Sequence, residues 1–107
     1  MSETFPLVRR LVAAREVRIS EHGYDELTED GISASEVLDG VDGGTVVEDY
    51  PDYPKGPSVL VLQMDSAGQP IHVVWGIPKG FASPAVLVTA YRPDPSRWDE
   101  RFLERRK

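Results

Sequence analysis

The hydrophobic pattern of this chain changes period part-way along, and that change limits the fold more than any other feature. Up to residue 41 the apolar side chains recur at helical spacing, and from Thr45 onward they alternate with period two. Helices first and strands afterwards, joined by connections too short for parallel crossovers, predict an α+β fold with an antiparallel sheet. Phe5, Leu7, Val8, Leu11 and Val12 place a first helix over residues 4–15, and Val17, Arg18 and Ile19 form a brief extended piece after it. Ser20 N-caps a second helix that Gly31 stops, with Glu21, Asp25 and Glu26 in the turns where the helix dipole favours acids. Ser33-Ala34-Ser35-Glu36 is a capping box opening a third helix through Val37, Leu38 and Val41.

Four strands follow, over residues 45–49, 58–64, 71–77 and 85–91. The loop 50–57 is stiffened by Pro51, Pro54 and Pro57, while residues 65–70 carry the glycine and polar residues of a hairpin connection. From Ser96 a short helix is expected, with Trp98, Phe102 and Leu103 on one face. The expectation is two or three N-terminal helices packed on a four-stranded antiparallel sheet, with a short C-terminal helical tail, in a single domain over residues 1–107. Val59, Val61, Val73, Trp75, Val86 and Val88 share strand parity and are assigned to one buried face. Leu60, Leu62, Val74 and Leu87 are apolar as well, so the tail or a partner should cover part of the other face.

Composition narrows the chemistry. There is no cysteine, which removes disulfides, thiolate nucleophiles and cysteine-based metal sites. No stretch approaches the ~20 apolar residues of a membrane span, so no membrane association is expected. Glu3 and Pro6 interrupt the N-terminus, with Arg9 and Arg10 behind them, so it lacks a secretory pattern and a cytoplasmic protein is the simplest expectation. Net charge is −6, divided as +2 over residues 1–18, −10 over 19–90 and +2 over 91–107. Lys55 and Lys79 are the only cations of the middle segment. A polyanion partner would therefore depend on the two chain ends being brought together.

His22 follows the N-cap of the second helix, where the positive dipole end favours the neutral, base-competent imidazole, and Glu26 stands one turn on. His72 begins a strand; if it converges on His22, the two could serve as general base and general acid. Tyr91 could donate a proton or stack a base, with Thr89 beside it, and Arg92 could neutralise a phosphate. Tyr50, Tyr53 and Lys55 could form a recognition surface in the stiff loop. Each residue also has a purely structural reading: a packed or capping histidine, a cross-strand Thr/Tyr pair, aromatic–proline packing. No HxH, HxxxH or HExxH spacing occurs, so neither a metal nor another cofactor is expected.

His22-Gly23, Gly31-Ile32, Val46-Val47-Glu48-Asp49-Tyr50, Pro70-Ile71-His72-Val73-Val74 and Val88-Thr89-Ala90-Tyr91-Arg92-Pro93-Asp94-Pro95 with Trp98 resemble the bacterial DUF4258 family over roughly residues 17–105. That family looks related to small RNase toxins of the RelE/ParE/BrnT type. The resemblance implies helices followed by a curved antiparallel sheet and metal-independent RNA cleavage, with the family's helix histidine falling on His22. Many relatives carry arginine where this chain has Glu26 and Asp30. Carboxylates there would repel RNA. Two classes result. The favoured one is a non-catalytic binding or interaction domain on a toxin-like scaffold, with an antitoxin-like protein, RNA or a second copy of the chain as partner. The alternative is an endoribonuclease, the toxin of a toxin–antitoxin pair, with His22, Tyr91 and His72 catalytic and Arg92, Lys55 and Thr89 holding substrate.

Overall fold

Three helices lie against one face of a sheet whose strand order is β1-β5-β4-β3-β2. The computed structural model describes residues 2–106. Met1 and Lys107, which the single-domain expectation includes, lie outside the described residues. Helix α1 spans Thr4–Ala13 and buries Phe5 and Val8. The Ser2 hydroxyl accepts the Thr4 and Phe5 N–H groups, each at 3.1 Å, and donates to Asp49 at 2.6 Å, fastening the start of α1 to the sheet. Helix α2 (Glu21–Glu29) is capped by Ser20 and helix α3 (Ala34–Gly40) by the Ser33–Glu36 box, both as the spacing predicts.

The strands are β1 (Val17–Ile19), β2 (Thr45–Tyr50), β3 (Ser58–Met64), β4 (Pro70–Gly76) and β5 (Ala85–Tyr91). From β2 to β5 the chain forms the expected antiparallel run. The sheet nonetheless has five strands and is mixed, because β1 joins the free side of β5 in parallel, with Val17 opposite Ala85 and Ile19 opposite Leu87. Short connections force antiparallel pairing only between strands adjacent in sequence. β1 and β5 are separated by most of the chain, so the constraint does not reach them.

The second correction concerns the tail, which is a hairpin-like turn instead of a helix. Arg106 N–H donates to Arg97 O and Asp99 N–H to Glu104 O, each at 2.8 Å, and Trp98 bridges Arg105. One Asp99 carboxylate oxygen accepts the N–H groups of Arg101, Leu103 and Glu104, and Phe102 takes a positive φ of 60°. A short acid that satisfies three backbone donors offers the chain a local alternative to helical bonding.

The third correction is one of register. A bulge in the β4–β5 pairing sets Val74 opposite Thr89 but Trp75 opposite Leu87. Val88 is the extra residue, so the strand changes parity there. Leu87 thus joins Val59, Val61, Val73 and Trp75 in the core beneath the helices, whereas Val86 and Val88 belong to the opposite, outer face. Trp75 keeps its indole N–H satisfied at depth by donating to Gln63 Oε1 at 2.9 Å, and Gln63 Nε2 donates to Val37 O at 2.8 Å. Among the described residues no helix is long and apolar enough to cross a membrane.

Candidate functional site

The outer face of the sheet is where polar and aromatic side chains gather. Strand pairing lays one continuous row across all five strands: Tyr50, Ser58, Gly76, Val86 and Arg18. Large side chains stand at both ends of this row and small ones in its middle. The result is a groove of about 500 Å³ with a floor that includes Val74 and Val88, walled by Tyr50 and Tyr53 and carrying Arg18 and Lys55. That volume lies in the range of small-molecule sites. The proline-rich loop holds its wall in place: Ile77 N–H donates to Pro57 O and Lys79 N–H to Lys55 O, both at 3.0 Å. Gly56 allows the contact, since its φ is +128° and a Cβ there would come within 2.0 Å of Ile77 O.

Beside the groove, the same face is covered by the chain's own tail. His72 is fully buried between Tyr91 and Trp98, its ring edge-on to both at 5.5 and 4.4 Å between centroids. Nε2 lies 2.8 Å from Phe102 O and Nδ1 3.3 Å from Tyr91 Oη. A carbonyl can only accept, so Nε2 carries the hydrogen and Nδ1 accepts the phenol O–H. Burial pushes the His72 pKa down and the Tyr91 pKa up, keeping both groups neutral. At the boundary between tail and groove, Arg105 grips Glu48 through two nitrogens, at 3.0 and 3.1 Å, and stacks its guanidinium over Trp98 at 4.7 Å. Tyr50 donates its O–H to the same carboxylate. The Arg105 bonds hold Glu48 below the usual carboxylate range, and burial together with Glu48 pushes the Tyr50 phenol up to about 12.

The expected site residues divide among three places. His72 and Tyr91 do converge, but on each other and under the tail. Thr89 faces Val74 on β5, and Lys55 lines the groove. Arg92 is committed elsewhere: its backbone N–H and Nε donate to Asp30, at 2.8 and 3.3 Å, and Nη1 reaches Asp65 at 3.0 Å. Asp30 is therefore a fastener between the end of α2 and the end of β5. His22 sits at the opposite end of α2, its side chain 66% exposed and its Nε2 3.6 Å from the Glu26 carboxylate. Among the described residues no hydrogen bond or ion pair joins His22 to Thr89, Tyr91 or His72, and no three His, Asp or Glu side chains gather as metal ligands.

Nothing local in the sequence marks out Arg18, Ser58, Gly76 or Arg105 as site residues, and Glu48 enters only within the family-like strand motif. Their roles depend on register and on a contact between the tail and β2, neither of which has a local signature. A second cleft of about 500 Å³ lies on the helix side, but there Asp39 and Asp42 balance Arg9 and Arg15, and Arg9 already pairs with Asp42 at 3.5 Å.

The architecture defines an α+β domain with three helices on one face of a five-stranded mixed sheet and a half-open groove on the other. The chain belongs to the family described as Domain of unknown function (DUF4258), whose model matches residues 19–92. Helix α1 and the tail hairpin lie outside that span. No curated protein and no solved structure matches the chain at a significant level.

Proposed function

We propose that this chain is a non-catalytic binding domain on a scaffold of the small RNase-toxin type, working through the outer-face groove. The observation that carries the reading is the state of the two histidines. His72 has both ring nitrogens occupied by its own chain, and His22 stands in solvent beside a carboxylate. General acid–base cleavage of RNA needs two proton-transfer groups within reach of one phosphodiester. The group beside His22 is the Glu26 carboxylate, which repels a phosphodiester, and Arg92, the cation expected to meet the phosphate, is held by Asp30 and Asp65. An antitoxin-like protein, RNA or a second copy forming a homodimer are the partners such a domain could serve, and the acidic middle segment argues against RNA.

The test is direct. Purified protein incubated with single-stranded RNA at ~0.15 M salt should neither retain nor cut it, and expression in a bacterial host should leave growth unchanged. Growth arrest that His22→Ala relieves would establish the ribonuclease reading instead.

A further inference from the structure

Resting on that binding reading, we propose that the groove takes a nucleoside monophosphate: a flat base laid along the valine floor against the tyrosine wall, its phosphate held by Arg18 and Lys55. Charge complementarity selects the occupant. Among the described residues neither Arg18 nor Lys55 has a carboxylate within ion-pair distance, although the chain carries 18 acids against 12 Lys and Arg. The lining holds no Asp or Glu. Glu48, two residues before Tyr50 on β2, is neutralised by Arg105 and by the Tyr50 hydroxyl. The groove is thus a cationic opening in an acidic molecule. Two cations match a phosphate carrying close to two charges; an aromatic carboxylate would leave one of them uncompensated.

The floor speaks for a ring. Val74, Val86 and Val88 present apolar surface, and Gly76 sits between them without a side chain. Base stacking on tyrosine is insensitive to which base is offered. The acidic middle segment sets the size limit. The chain carries −6 overall, so a polymer running out of the groove would meet an acidic molecule, whereas a monophosphate ends inside.

The test is a backbone-amide NMR titration of the full chain with AMP, adenosine and inorganic phosphate separately. AMP should shift Ser58, Gly76, Val86 and Val88 and saturate near ~1 mM or below. Adenosine and phosphate should each bind about tenfold more weakly, and R18Q and K55Q should each weaken AMP by about three- to tenfold while leaving the remaining spectrum in place. Arg105→Gln should also weaken AMP, because it frees the Glu48 charge beside the wall. Shifts absent at ~10 mM AMP, shifts indifferent to R18Q and K55Q, phosphate alone binding as tightly, indole-3-acetate binding as tightly, or an oligoadenylate binding more tightly per chain would each overturn the assignment. A silent groove in a chain that leaves RNA intact removes this ligand and keeps the binding-domain reading. His22-dependent RNA cleavage removes the binding-domain reading and this assignment with it.

Discussion

Leu87 and Val88 are neighbours with opposite fates, one fully buried under the helices and the other half-buried over the groove. Period-two reading puts Val86 and Val88 with Trp75, and it fails because a single bulge residue inverts every assignment beyond it. Residue type gives no warning, since both positions are apolar and β-compatible. The contrast is measurable in urea midpoints: Leu87→Ala should cost ~2–5 kcal/mol and Val88→Ala less than ~1.5. Equal losses would refute the bulge. Trp75→Ala should cost ~3–5 kcal/mol, since it empties the centre of the core and strands Gln63 without its indole partner. Asp30 is the other residue whose meaning changes in three dimensions. Its charge reads as a deterrent to RNA, yet its carboxylate and carbonyl hold Arg92. Asp30→Arg should therefore lower stability by ~1–3 kcal/mol, and chemical denaturation of that variant checks it.

At the level of elements, the strands β2 to β5 and the caps of α2 and α3 were legible because each is written in a local pattern: alternation, turn residues, a serine three positions before its N–H partner. The parallel place of β1 was not, since three residues carry no information about a partner 68 positions away, as the Arg18–Val86 pairing requires. The tail's conformation escapes local pattern for a related reason. Trp98 and Phe102 have helical spacing, but the energy that decides their conformation comes from Trp98 burying itself on His72 and from Phe102 O receiving the imidazole N–H. Tertiary burial overrides weak local propensity. Trp98→Ala should cost ~3–5 kcal/mol, close to the whole stability of a small domain. Amide exchange gives a gentler readout: Arg105→Gln should speed exchange of the Asp99 and Arg106 amides while leaving core amides of β3 and β4 protected. Uniform acceleration through the core would mean that the hairpin is no separable cover.

For the molecule as a whole, the sequence carries the sum of the charge but not its placement. The basic ends and acidic middle are visible in the chain, but Arg18, Lys55 and the Arg105–Glu48 clasp meet around one groove only through the register of the sheet. The same distribution fixes how stability should follow pH. Hydrogen bonds from Ser66 and Ser33 lower the Glu36 carboxyl to about 2; a Gln69 N–H lowers Asp65, a Ser96 N–H lowers Asp94, a Leu103 N–H lowers Asp99, and Arg105 lowers Glu48. Burial lowers His72 as well. In every one of these cases the folded chain binds fewer protons than the unfolded chain below the group's ordinary value, so stability rises with pH. His72 contributes below ~6.5 and the carboxylates below ~4.5, down to about 2 for Glu36. On the alkaline side, Tyr50 stays protonated up to about 12 in the folded chain while the unfolded phenol ionises near ~10, so stability falls again from there. Maximal stability should lie between pH ~7 and ~10, although minimal net charge would place it at the isoelectric point near 4.8. Urea midpoints taken from pH ~3 to ~9 decide between the two, and a maximum near the isoelectric point would refute the linkage. In the same series His72→Gln should flatten the loss of stability that begins as pH falls below ~6.5, and Glu36→Gln only that below ~4.5, because each removes one titration and leaves the others in place.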